Sequence, residues 1–160
     1  MRFDPPTLHF RGARLSDAAR VARCYLASRR HLGAFTTQPA GDGEVEAWVT
    51  SSLLPTGGVM VALEAGAVVG FIAVSERDDG LWVDELHVHP LRLRRGIGSM
   101  LLHLALSRRE GPVRLYTLEP NRAARRFYEG HGFAVVGLGE SSANDSRYPD
   151  VLYERHAPMA

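Results

Sequence analysis

A chain of 160 residues, 45% hydrophobic and 23% charged, has the length of one domain and the apolar material for an ordinary core. Its formal net charge of +1 gives no electrostatic ground for nucleic acid or an anionic membrane as a partner. No apolar run approaches the roughly 20 residues of a membrane span, Asp4, Pro5 and Pro6 argue against a secretion signal, and the single cysteine, Cys24, permits no intrachain disulfide, so a cytoplasmic protein is expected.

Residues 1–6 read as an N-terminal extension, and 7–157 as one domain with no repeat or linker. Leu8 and Phe10 alternate with polar neighbours, which predicts a strand over Thr7 to Ala13. Ser16 or Asp17 is placed to cap a helix from Ala18 to Arg30, with Val21, Ala22, Tyr25 and Leu26 on its apolar side. Asp42 is placed to cap a second helix, Glu44 to Leu54, which Pro55-Thr56-Gly57-Gly58 stops. Val59 to Glu64 and Ala67 to Ser75 form a hairpin around Ala65-Gly66, and Leu81 to Val88 follows as a strand closed by Pro90. Ile97 to Arg109 reads as a helix with Met100, Leu101, Leu104 and Ala105 on one face. A strand from Val113 to Leu118, a helix from Arg122 to Glu129, and strands at Phe133 to Val136 and Val151 to Arg155 complete the chain. Antiparallel hairpins followed by strand–helix–strand units give an α/β class.

All nineteen basic residues are Arg. Three of them, Arg92, Arg94 and Arg95, stand in the segment His89 to Ser99 that joins a strand to a helix. Gly96 and Gly98 carry no Cβ and let a ligand approach the backbone. The helix that starts there presents unpaired N–H groups and the positive end of its dipole, so the segment has the chemistry of a phosphate cradle. No Gly-Lys-Ser/Thr follows, so it is not a Walker loop, and the third glycine of a dinucleotide fingerprint is missing.

Trp82-Val83-Asp84-Glu85-Leu86-His87-Val88-His89-Pro90 with Arg94-Arg95-Gly96-Ile97-Gly98-Ser99 resembles the signature of the GNAT N-acetyltransferase superfamily. Asn121, Ala124, Phe127, Tyr128, Gly132 and Phe133 match that family's second motif, N-x-x-A-x-x-F-Y-x-x-x-G-F, in register. The resemblance implies a mixed sheet of about seven strands flanked by about four helices, with acetyl-coenzyme A as co-substrate. It further implies that the main chain around Leu86, His87 and Val88 binds the pantetheine arm. Arg94, Arg95, Gly96, Ile97, Gly98 and Ser99 would hold the pyrophosphate, and Asn121, Ala124 and Phe127 would line the cofactor. The family's loop begins with Arg or Gln where this chain has Leu93; Arg92 or Arg94 would then supply that contact. A small-molecule or peptide amine would accept the acetyl group, and the protein would act as a monomer or homodimer without a metal.

Attack on a thioester requires a neutral amine, hence a base. Asp84 and Glu85 stand mid-strand, where a charge is costly unless it is used or paired. Strand alternation places Asp84 on the face of Trp82, Leu86 and Val88 and Glu85 on the other; a bulge would reverse that parity. Related enzymes often carry an acid at the position of Asp84, so Asp84 is the first candidate base and Glu85 the second. Tyr128 is the candidate acid for the departing thiolate, by the same resemblance. His31, Phe35, Trp48 and Tyr148 are candidate walls of the acceptor pocket, and Asp145 and Asp150 candidate contacts to a cationic acceptor. His87 and His89 flank Val88 but have no third partner at metal-ligand spacing. The competing reading is a module on the same fold that senses acyl-coenzyme A or pairs with another protein and turns nothing over; the presence of both Tyr128 and Asp84 favours the enzyme.

Overall fold

The computed structural model describes residues 7–33, 41–107, 109–139 and 148–156, so the extension 1–6, Phe35 and Asp145 lie outside the described residues. Seven strands form one sheet: β1 (Leu8–Gly12), β2 (Val59–Glu64), β3 (Ala67–Arg77), β4 (Gly80–Val88), β5 (Val113–Leu118), β6 (Ala134–Leu138) and β7 (Asp150–Arg155). Their order across the sheet is β1-β2-β3-β4-β5-β7-β6, with β4 and β5 parallel and every other pair antiparallel. Four helices flank it: α1 (Ala18–Leu32), α2 (Asp42–Trp48), α3 (Ile97–Leu106) and α4 (Arg122–Gly130).

Alternation along β2 divides the core into two layers. Met60 and Ala62 face α3 and α4, whereas Val59, Val61 and Leu63 face α1 and α2. The α3/α4 layer holds Ile72, Leu101, Leu102, Leu115 and Tyr153, all essentially inaccessible to solvent. The opposite layer is built on Val21, Val49 and Phe71. Each such side chain contributes roughly 1.5–3 kcal/mol by leaving water. At Gly70 β3 and α3 meet closely, since a Cβ there would lie 2.9 Å from Ile97 Cγ2.

Local expectations fail where tertiary contacts compete. Asp17 does not cap α1: its buried carboxylate accepts from the Arg14 N–H at 2.7 Å and pairs with Arg11 and Arg20. Two guanidinium groups outbid the helix N–H groups for the same oxygens. Asp42 is the first residue of α2, behind a Gly41 cap, and pairs with Arg30. The helix predicted over 44–54 continues from α2 as a π-turn, Val49–Leu53, then a 3-10 turn, Leu54–Thr56, and ends at Gly57 in a left-handed conformation. In α3 the packed face is Ile97, Leu101, Leu102 and Leu106, and Met100 is exposed. This helix is apolar nearly all round, so periodicity alone does not single out the stripe that packs.

Candidate functional site

β4 carries the bends that make the site. Ala73 pairs with Glu85 but Val74 pairs with Val83, so Asp84 is an extra residue, a β-bulge. The bulge overturns the simple alternation. Leu81, Val83, Leu86 and Val88 all pack into the α3/α4 layer, while Glu85 and His87 stand opposite Ala73 and Phe71 on the α1/α2 side. Asp84 therefore does not share a face with Leu86 and Val88. It forms an ion pair with Arg77 at 2.7 Å, and Arg77 also lies over the Trp82 ring.

Beside the bulge the sheet opens. β4 and β5 pair only at Leu81–Val113 and Trp82–Arg114, although β4 runs on to Val88 and β5 to Leu118. His89 N–H donates to Val69 O of β3 at 2.8 Å, so by the alternation of an antiparallel ladder the peptide of His87 also faces β3. The peptide groups of Leu86 and Val88 then face the opening, with no strand to bond. Unpaired main-chain groups at that edge suit an amide-bearing arm laid alongside as a surrogate strand. The backbone of His87 is occupied by β3 and does not share that role.

Tyr128 stands on α4 and packs into the α3/α4 layer. Its ring is packed edge-on against Phe127 and Phe133 and is buried. Burial pushes its phenol well above the ordinary tyrosine range, and the nearby Glu85 carboxylate pushes it further. Glu85 itself is half-buried, with Oε2 at 2.6 Å from His87 Nε2. The other ring nitrogen of His87 is 2.9 Å from Ser28 Oγ on α1, and the imidazole stacks on Phe71 with Tyr25 at its edge. Tyr25 in turn packs against Trp48. Sequence reasoning missed Ser28 and Tyr25, which lie 59 and 62 residues before His87 and belong to no motif.

The cradle lies at the start of α3. Arg94 and Gly96 both adopt left-handed backbone conformations, at φ 63° and 78°. The first helical hydrogen bond runs from Met100 N–H to Gly96 O, which leaves the N–H groups of Ile97, Gly98 and Ser99 for a ligand. Ile97 anchors this turn through a buried side chain. Gly98 has an ordinary φ, and a Cβ on it would stand at 3.5 Å from the Phe127 ring and 3.6 Å from Val88 Cγ2. That contact joins the three predicted segments. Asn121 caps α4, its Oδ1 accepting from Ala124 N–H at 3.2 Å, and Ala124 and Phe127 pack towards α3. Leu93 is exposed, and Arg92 and Arg95 both turn to Glu64 of β2. Thus Arg92 is paired with Glu64, and Arg94 has no ion pair among the described residues.

The predicted acceptor walls separate. Trp48 stands with Tyr25 near His87, His31 is exposed in the last turn of α1, and Tyr148 borders a shallow depression of about 400 Å3 with Glu119, Arg122 and Arg125. Asp150 is the first residue of β7 and buried. Among the described residues no group of three His, Cys, Asp or Glu could hold a metal, and no helix is long and apolar enough to cross a membrane.

Residues 55–135 match the family model described as an acetyltransferase (GNAT) domain. None of the curated proteins is similar in sequence. Among solved structures, the PaiA N-acetyltransferase of Thermoplasma acidophilum, in complex with coenzyme A, superposes with a TM-score of 0.73 at 18% identity over 94% of this chain and 99% of its own. YncA of Salmonella typhimurium, with its cofactor acetyl-CoA, gives 0.72 at 21% identity over 94% of both chains. The diaminobutyrate acetyltransferase EctA of Paenibacillus lautus, with L-2,4-diaminobutyric acid and coenzyme A, gives 0.70 at 17% identity over 97% of both.

Proposed function

Since the chain belongs to the GNAT acetyltransferase family, we propose that it moves an acetyl group from acetyl-coenzyme A to a primary amine of a small molecule or peptide, by direct attack while both are bound. The observation that carries this reading is the gap between β4 and β5, where the peptide groups of Leu86 and Val88 are unpaired and the Glu85–His87 pair stands on the same strand. The family's co-substrate fits these features. Unpaired peptides suit the amides of its arm, and the left-handed turn at Arg94 and Gly96, with the N–H groups of Ile97, Gly98 and Ser99, suits its pyrophosphate.

In this reading Glu85 takes the proton of the attacking amine, and His87 and Ser28 orient its carboxylate and carry the proton away. The new C–N bond forms as the C–S bond breaks. Tyr128 hydrogen-bonds the departing sulfur. A phenol pushed so far upward is a persistent donor and a poor proton source, so its part is to stabilise developing charge, and the thiolate takes its proton from water. Asp84, tied to Arg77, holds the bulge that aims Glu85. The half-buried aromatic pair Tyr25 and Trp48 beside His87 supports an acceptor that brings apolar surface with its amine. EctA, a structural neighbour, has a small diamine acid as its substrate, which supports trying such compounds first.

The test is thiol release from acetyl-coenzyme A against a panel of diamines, amino acids and peptide N-termini. Release that depends on one class of amine is expected. Tight binding of coenzyme A with no release for any amine would make the protein an acyl-coenzyme A sensor instead.

A further inference from the structure

The pyrophosphate cradle has an unusual support. Glu64 is the last residue of β2, and β2 alternation turns its side chain to the α3 side of the sheet. There it is only 5% exposed. Its Oε1 accepts from Arg92 Nε at 2.9 Å, and its Oε2 lies 3.0 Å from Arg95 Nη1. Burial alone would raise this carboxyl, yet the two guanidinium groups outweigh it and hold it below the ordinary range. The two tethers fall on either side of Arg94, whose φ of 63° is a strained conformation for a residue with a side chain. They also stand just before Gly96, the residue that opens α3. Such strain persists only where the surroundings over-determine it.

We propose that Glu64 is a positioning residue for the cofactor: by bridging Arg92 and Arg95 it sets the loop 90–96 in its anion-binding shape before coenzyme A arrives. The inference rests on the cradle being the coenzyme A site. This chain has Leu93 where the family has Arg or Gln, and Leu93 is exposed. With no loop side chain there to clamp the phosphates, the shape of the backbone carries more of the affinity, and a preset shape avoids the cost of ordering on binding.

The opposite role makes the opposite prediction. A carboxylate beside a pyrophosphate repels it and masks two cations. If masking were all that Glu64 did, neutralising it would strengthen binding. If Glu64 sets the shape, neutralising it weakens binding. Calorimetric titration of coenzyme A into the wild type and Glu64→Gln decides between them. We expect the dissociation constant to rise about tenfold, as when only about a tenth of the molecules hold the competent loop. Hydrogen exchange should accelerate in residues 90–98 alone, and KM for acetyl-coenzyme A should rise with kcat retained. An equal or smaller dissociation constant overturns the proposal. Should Glu64→Gln not fold, Glu64→Asp keeps the charge but is too short to span both arginines. It should weaken binding as well, and unchanged affinity there also overturns the proposal. Wild-type protein that fails to bind coenzyme A would instead remove the functional reading itself, so the two failures are distinct.

Discussion

Glu85 Oε2 lies 2.6 Å from His87 Nε2, two residues along the same strand and on the same face. The bulge at Asp84 turns this pair towards α1, where Ser28 completes a chain of three polar side chains.

From this arrangement Glu85→Gln, which keeps shape but takes no proton, should lower turnover at neutral pH by roughly 10²-fold or more. The deficit should shrink as pH rises, because the amine is then neutral without help. Asp84→Asn should cost less than tenfold, since its carboxylate serves Arg77. Steady-state rates with the fastest amine of the panel, per folded molecule, check both. The reverse ranking would return the base to Asp84.

Tyr128→Phe should lower turnover by roughly 10- to 10²-fold, the scale of losing one donor at a developing charge, while leaving coenzyme A affinity nearly unchanged. The phenol is raised above its ordinary value of 10.0. It therefore stays protonated through the range in which enzymes are assayed, and the rate profile should show no falling limb from it below about pH 10. Its raised value also links to stability. Above pH 10 the unfolded chain gives up this proton and the folded one keeps it, so stability should fall as pH rises there. Urea melts at pH 8 and pH 10.5 should show a smaller difference for Tyr128→Phe than for the wild type.

The two loop glycines should respond differently. Gly96 adopts φ 78°, so Gly96→Ala should cost about 1 kcal/mol of stability through backbone strain. Gly98 needs neither a special conformation nor more room than an ordinary contact with Phe127 allows, so Gly98→Ala should fold as the wild type does. Gly98→Asp should fold and lose coenzyme A, because it puts a charge where the pyrophosphate is expected. Thermal shifts with coenzyme A, NAD and ATP would check this, with coenzyme A giving much the largest shift for the wild type. A Gly98→Asp protein that keeps its affinity would put the ligand elsewhere.

Asp17 should dominate the acid side. Hydrogen bonds from Arg11, with the Arg14 N–H and the charge of Arg20, hold its carboxyl at about 2 against an unfolded value of 3.8. The stabilisation is fully present above pH 4 and is lost as pH falls towards 2, an effect of roughly 2 kcal/mol. Asp17→Asn should cost roughly 3–5 kcal/mol at neutral pH, since it leaves two arginines without their shared partner, and should flatten the acid limb of a plot of urea midpoint against pH.

The strands and the glycine loop were legible because each is set by local chemistry. Alternation marks β2 and β3, and a turn at Ala65-Gly66 can only fold them together. Gly96 is demanded by a left-handed turn, and glycine is the residue that supplies it without strain. Which side of the sheet Asp84 takes was not legible. It depends on one inserted residue in β4, and no composition rule locates such an insertion. Glu64 was equally silent, because its partners lie 28 and 31 residues away and nothing in Val59 to Glu64 distinguishes an end-of-strand carboxylate from a solvated one. Ser28 is invisible for the same reason.

The two rungs that join β4 to β5 leave the sheet nearly cut in half along its middle. On the α3 side the halves are riveted together, since Ile72 and Val83 share a core with Val113, Leu115 and Tyr153. On the other side, α1 and α2 cover the N-terminal half, and among the described residues their core includes none of β5, β6 or β7. The molecule is thus built like a book bound along one face. Its open face is the one towards α1 and Glu85, and its spine is the α3 face, so a change at the open face leaves the packing that joins the two halves untouched.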